Sequence, residues 1–298
     1  MTNRRQFIAS TATAAAAATF ATPLHSQTEA TQPTQKILAF TKPFNSLSFD
    51  ELADRLAEIG FDGLEATIRR GGNVESKEVE DKLPALVEAL QQRGLELSIM
   101  TSDINDPDDP LTEKVLRTAS TLGIERYRMK YLNYNLKHSV LDQIAAWKPR
   151  LKDLAAINHQ FGVGGLYQNH SGSSNFGSVL WDLQLALDGI SPTEIGVAYD
   201  IRHAMVEGGE SWPITFNMIR PQVGAVYVKD FVWRGNSVQN VPLGKGRVEA
   251  KFFEMLRESD FHGPISLHVE YLDHGNPALV PKHLAALKTD LAQLREWL

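Results

Sequence analysis

Eight times between Gln35 and the carboxyl terminus, a short apolar run is followed by a segment whose apolar residues recur at helical spacing. Strand–helix alternation of this kind builds a parallel sheet with helices packed on it. Strands are predicted over 36–40, 62–67, 95–100, 125–130, 163–168, 195–200, 223–229 and 264–270. The helices between them carry their own signals. Ser48-Phe49-Asp50-Glu51 reads as a capping box. Gly60, Gly94 and Gly123 mark helix ends, and a helix over 139–161 is expected to break or bend at Pro149. Eight βα units in roughly 260 residues match a closed (β/α)8 barrel. The rival architecture, an open doubly wound sheet, usually has a glycine-rich first turn. Here that turn is Phe40-Thr41-Lys42-Pro43-Phe44, without glycine. The expectation is one α/β domain, a (β/α)8 barrel over residues 35–298.

Residues 1–30 stand outside that pattern. Arg4 and Arg5 precede Phe7-Ile8, and a weakly apolar Ala/Thr run extends from Ala12 to Ala21. This is the layout of a secretory signal with a short linker, and the paired arginines resemble the twin-arginine export type. The run is too short and too weakly apolar to span a bilayer. A periplasmic or secreted protein, free of the membrane after cleavage, is expected. The formal net charge of −6 disfavours nucleic acid as a partner. With no cysteine in the chain, disulfides and thiolate metal ligands are excluded. A homo-oligomer is compatible with the sequence.

Chemistry in such a barrel sits at the carboxyl ends of the strands. Gly196-Val197-Ala198-Tyr199-Asp200 is a small or apolar run that ends on an acid. A strand covered on both faces reads this way. His203 follows in the loop or first helical turn. Asp200 either caps that segment or faces the barrel mouth. Strand residues two apart share a side. That groups Gln168 with His170, Tyr227 with Lys229, and Ser266 with His268 and Glu270. Polar side chains buried unpaired cost about 1–3 kcal/mol each, so three such groups point to a polar pocket around Asp200. Glu65 and Arg69 after the second strand, and Arg128 and Lys130 in the fourth, are expected to line the opposite wall. Lys229-Asp230 also reads as a solvated charge pair. Gly244-Lys245-Gly246-Arg247 lacks phosphate-loop spacing and reads as a mobile loop at the mouth.

Several stretches together resemble a known superfamily. They are Gly60-Phe61-Asp62-Gly63-Leu64-Glu65, Gln168-Asn169-His170, the Asp200 and His203 pair, Val228-Lys229-Asp230, Pro242-Leu243-Gly244-Lys245-Gly246, and Gly263-Pro264-Ile265-Ser266-Leu267-His268-Val269-Glu270. Their order and spacing resemble the xylose isomerase-like barrels of sugar isomerases and epimerases, from about Lys36 to the end of the chain. The resemblance implies a single divalent metal that polarises a carbonyl and a hydroxyl of an open-chain sugar. Its usual ligands are a Glu ending strand five, an Asp ending strand six, a His or Gln on strand seven and a Glu on strand eight. The two glutamates exchange a proton through an enediolate.

Only Asp200 matches that set. Gln168, Tyr227 and His268 stand at the other three positions. A glutamine cannot act as a base, and tyrosine is a poor ligand for hard divalent ions. The resemblance then implies one Mn²⁺ or Zn²⁺ on Asp200, His268, Gln168 and Glu270. It leaves His268, Glu270, His170 and Lys229 as acid, base or electrophile. Substrate contacts fall to His203, Glu65, Arg128, Lys130 and Tyr227. The expected partner is a small neutral carbohydrate, a sugar or keto-sugar. Proton transfer next to its carbonyl would give isomerisation, epimerisation or elimination. The alternative is a non-catalytic sugar-binding protein, or a partner subunit of a sugar oxidoreductase.

Overall fold

In the computed structural model, which describes residues 35–298, eight parallel strands close into a barrel. They are β1 (Ile37–Phe40), β2 (Gly63–Ile68), β3 (Glu96–Ser102), β4 (Arg126–Arg128), β5 (Gly164–Gln168), β6 (Ile195–Asp200), β7 (Val223–Val228) and β10 (Ile265–Leu267). The last pairs with both β7 and β1, which shuts the ring. Between β7 and β10, β8 (Asp230–Arg234) and β9 (Ser237–Val241) form a hairpin outside the barrel sheet. The export segment expected over 1–30 lies outside the described residues.

The helices are α1 (Phe49–Ile59), α2 (Val79–Gln91), α3 (Pro110–Thr121), α4 (Val140–Phe161), α5 (Trp181–Leu187), α6 (Ile201–Gly208), α7 (Trp212–Ile219), α8 (Ala250–Arg257) and α9 (Val280–Trp297). Local chemistry sets their ends. Ser48 Oγ accepts the Glu51 amide at the start of α1, and Gly60 ends it at φ +98°, a conformation that suits glycine. Leu52, Ala53 and Leu56 turn the apolar face of α1 inward. The helix α4 is not broken at Pro149. A proline there removes one backbone bond, but Ile144, Leu151, Leu154 and Ala155 are buried on either side of it and hold the helix. His203 falls in the first turn of α6, which runs on to Gly208.

All eight expected strands form, with β4 and β10 shorter than the sequence suggests. Inside the barrel, Leu38, Ile99, Leu166, Ala198, Ala225 and Tyr227 make a compact apolar cluster. The larger apolar cluster draws on both strands and helices. Two residues on from Ile99, Leu166 and Ala198 come the polar Thr101, Gln168 and Asp200. Strand register slips at Leu64/Glu65 and at Val197/Ala198. Such irregularities re-aim side chains, and these lie at or just before Glu65 and Asp200.

Two expectations about the mouth are corrected. The carboxylate of Asp230 accepts the backbone amides of Gly244, Gly246, Arg247 and Val248 at 2.8–3.0 Å. The loop read as mobile is therefore pinned. A Cβ on Gly246 would collide with Asp230 and with the Phe231 carbonyl, so glycine is required there. Lys229 and Asp230 do not form a solvated charge pair either. Both are buried, with Asp230 committed to the loop amides and Lys229 to a separate set of carboxylates.

Candidate active site

Glu65, inward on β2, has no exposed surface. It accepts hydrogen bonds from Thr101 Oγ1 at 2.5 Å, Ser266 Oγ at 2.6 Å and His268 Nε2 at 2.8 Å. Burial pushes its carboxyl up. The His268 imidazole and its hydrogen bond, Arg128 and the Ser266 hydroxyl outweigh burial and bring the pKa down to about 2. Arg128 ends β4, donates through Nε to Thr101 Oγ1 at 3.3 Å, and lies 4.8 Å from the centre of the Tyr131 ring. His268 packs between two rings, with centroid distances of 4.2 Å to Phe40 and 4.7 Å to Tyr227. This wall ties together β2, β3, β4 and β10.

Asp200 ends β6, and its two oxygens have different partners. Oδ1 accepts the His203 amide at 3.1 Å and caps α6. Oδ2 accepts Gln168 Nε2 at 2.8 Å and lies 3.2 Å from Lys229 Nζ. The capping role and the mouth-facing role are thus both realised. Asn169 clamps the strand end, accepting the Asp200 amide at 2.7 Å and donating to its carbonyl at 3.1 Å. Lys229 Nζ also reaches Glu270 Oε2 at 2.6 Å. Burial works against the Lys229 charge, but Asp200 and then Glu270 outweigh it and hold the ammonium above its ordinary pKa. Burial likewise pushes Glu270 up, yet Lys229 and His268 pull its carboxyl well below the usual range.

The rings of His170 and His203 lie 3.9 Å apart. His170 Nδ1 is 2.9 Å from the Ser171 carbonyl oxygen. Asn175 Nδ2 also lies 3.1 Å from the same Nδ1; the carbonyl calls for a hydrogen on Nδ1 and the amide for a lone pair there, and in either tautomer a neutral ring keeps one unprotonated nitrogen. Burial, then the Lys229 charge, lower the His170 pKa, so the ring is neutral at pH 7. Burial, followed by Lys229, His170 and Arg202, pushes His203 well below its ordinary value. Among the described residues, the buried atoms His203 Nε2 and Tyr227 Oη have no hydrogen-bond partner. Buried polar atoms normally have one, and the hydroxyls of a polyol would supply it.

A family model described as the xylose isomerase-like TIM barrel matches residues 53–296. The chain belongs to that family. Solved structures share its architecture. 3-Keto-D-glucoside 4-epimerase, YcjR, from E. coli is 16% identical, with a TM-score of 0.66 over 88% of this chain and 99% of that one. D-Allulose 3-epimerase from Methylomonas sp., in complex with D-allulose, is 15% identical, with a TM-score of 0.66 over 89% and 97%. The IOLI protein with a bound zinc atom is 14% identical, with a TM-score of 0.72 over 87% and 98%. At such identities the likeness shows the fold. No curated protein matches the sequence.

Within this xylose isomerase-like barrel, two groups of expected residues meet. Asp200, Gln168, Lys229 and Glu270 are joined by direct contacts, with His203 and His170 beside them. Glu65 and His268 form the other group, with Arg128 and Tyr227 against it. Lys130 joins neither. It is exposed, and it borders a separate cavity of about 400 Å³ alongside Asp103 and Leu111.

The four expected metal ligands are not assembled. His268 directs Nε2 to Glu65, Gln168 turns its amide NH₂ toward Asp200, and the Lys229 ammonium bridges Asp200 and Glu270. Among the described residues, no three His, Cys, Asp or Glu side chains are grouped to hold an ion. The Lys229 ammonium occupies the place between these two carboxylates, and His268 is committed to Glu65, so the donor set as arranged does not fit a divalent metal. Sequence reasoning missed Thr101, Asn169 and the Glu65–His268 pair. An acid in the middle of the otherwise apolar run from Gly63 to Ile68 is the one local signal for Glu65.

Proposed function

We propose that the chain is a sugar isomerase- or epimerase-type enzyme. It moves a proton next to the carbonyl of an open-chain sugar or keto-sugar. The observation that carries this reading is the neutral His170, with one unprotonated ring nitrogen, within electrostatic reach of the buried Lys229 ammonium. The likeness to two epimerases of sugars supports the substrate class.

Lys229, with Arg128, receives the carbonyl oxygen. The unprotonated nitrogen of His170 takes the proton from the adjacent carbon. The C–H electron pair becomes the new C=C bond, and the carbonyl π pair moves to oxygen. The fixed cations stabilise that developing charge without reorganisation. Return of the proton to the former carbonyl carbon, with the hydroxyl proton of the donor carbon passing to the enolate oxygen so that the new carbonyl forms there, gives isomerisation. Delivery to the other face of the original carbon gives epimerisation, with His268 as the second imidazole, oriented by Glu65. Loss of a hydroxyl from the next carbon gives elimination. Asp200 keeps Lys229 charged and placed.

Incubating the purified protein with keto-sugars and aldoses in D₂O tests this reading. Deuterium should enter the carbon beside the carbonyl, and His170→Ala should abolish it. A second reading, binding without turnover, is favoured by one observation: Glu65, Asp200 and Glu270 are each already bonded to a cationic or imidazole partner. Tight sugar binding by calorimetry, with no exchange across the panel, would replace the first reading by the second.

We also propose export through the twin-arginine-like segment at residues 1–30. Replacing Arg4 and Arg5 by lysine should retain the precursor in the cytoplasm. Unchanged delivery to the periplasm would refute that route.

A further inference from the structure

Lys42, Arg69 and Arg70 follow the ends of β1 and β2. Among the described residues, none of the three forms an ion pair, and none has a side-chain hydrogen bond. All three line one cavity of about 730 Å³ at the strand ends of β1 and β2. A volume of that order suits a small-molecule ligand. The one carboxylate in the lining, Asp103, accepts the Arg70 backbone amide at 3.0 Å.

The cations are not merely decorating the rim. Lys42 and Arg69 are half-buried. Burial lowers the pKa of each, and their cationic neighbours add to that. Arg69, Lys229 and Arg128 act on Lys42, with Glu270 opposing them. Arg128 acts on Arg69, with Asp103 and Glu65 opposing. Crowding like charges out of water is unfavourable unless an anion joins them. The chain as a whole carries −6, so this cluster runs against its overall charge. Lys42 lies two residues past β1, and Arg69 directly follows β2, the strand that carries Glu65, so the cavity opens at the same end of the barrel as the inner site.

We infer that this cavity takes an oxyanionic group, a carboxylate or a phosphate, carried by the substrate whose carbonyl meets Lys229. This rests on the proposed function for the site of turnover, but the anion subsite stands on its own cations. It revises the neutral sugar expected from the lack of a phosphate loop. Guanidinium groups recognise such oxyanions by paired N–H donors and need no such loop.

Calorimetry at low salt, with inorganic phosphate, D-glucuronate, D-glucose 6-phosphate and D-glucose as probes, tests the inference. The wild type and the Lys42→Gln/Arg69→Gln double variant are compared, and thermal unfolding confirms that the variant folds. At least one anion should bind the wild type roughly tenfold or more tighter than glucose. The double variant should lose that margin, and added salt should weaken it. Preference for glucuronate identifies a carboxylate, and preference for the sugar phosphate a phosphate. Equal binding of glucose and the anions, no binding of any anion, or retention of the margin in the double variant each overturns the inference. Deuterium exchange separates the two proposals. Exchange on neutral sugars alone removes the anion subsite and leaves the function. Anion binding with no exchange on any sugar does the reverse.

Discussion

Glu65 and Glu270 are both glutamates at the mouth of one barrel, yet they are held differently. Glu65 sits mid-strand with no exposed surface and accepts three side-chain donors, one from β3 and two from β10 and the residue after it. Glu270 lies three residues past the end of β10, with its side chain 22% exposed, and its carboxylate has one cationic partner, Lys229. The first is a saturated anchor that fixes His268. The second shares its partner with Asp200 and keeps room for a ligand. Saturation marks the residue that orients, and partial exposure marks the residue that meets substrate.

The largest effect should come from breaking the anchor. Glu65→Ala leaves Thr101, Ser266 and His268 without their acceptor in a buried place. Removing one partner of a buried charged network costs about 3–5 kcal/mol, to be read from urea denaturation. Glu270→Gln keeps the Lys229–Asp200 contact and should cost about 1 kcal/mol, in line with a partly exposed pair. Equal losses at the two sites would erase the contrast. His170→Ala comes next. It should lower turnover by about 10²–10⁴, the usual worth of a general base, with little change in stability. A matching fall in stability would make His170 another anchor.

Much of the fold was legible because it is local. The apolar runs, the Ser48 cap and the glycine stops depend on neighbours in sequence, and the structure reproduces them. The period-two rule aimed Ser266, His268 and Glu270 to one side, and all three side chains bond to the mouth carboxylates and Lys229. The β8–β9 hairpin was missed although its signal is present. Gly235-Asn236 separates the two strands, a two-residue connection of the hairpin kind. The Glu65–His268 bond was not legible, since 203 positions separate its partners and only ring closure brings them together. Nor could a single sequence show that the Lys229 ammonium falls between Asp200 and Glu270.

Acid pH should separate the two walls more gently. Glu65 has a folded pKa of about 2 against an ordinary 4.5. Its contribution to stability is complete above 4.5 and is lost as pH falls toward 2. His170 and His203 have folded values below 6.5. Unfolded imidazoles take up protons first, so their share begins to fade below about 6.5. Stability should therefore decline in two stages on acidification. Turnover that depends on neutral His170 should hold through pH 6.5 and fall only below it. A rate profile centred at 6.5 would show that His170 is not the base.

The smallest expected effect is that of a chelator on the wild type. Lys229 already bridges Asp200 and Glu270, and a divalent ion entering there would have to displace a buried ammonium that lies 2.6 Å from one carboxylate and 3.2 Å from the other. EDTA should leave deuterium exchange and thermal stability unchanged. Elemental analysis should find far less than one ion per chain. The sharper form of the experiment removes the internal cation. Lys229→Met leaves two carboxylates facing each other without a counter-charge. That variant should be less stable than the wild type, and Mn²⁺ or Zn²⁺ should restore part of the loss, because an ion that binds only the folded state stabilises it. Asp200→Asn in the same background should abolish the rescue. Stoichiometric metal in the wild type, lost with Asp200→Asn, would mean that Lys229 yields its place to an ion and that Glu270, like Glu65, is a fixed ligand rather than a ligand-facing partner.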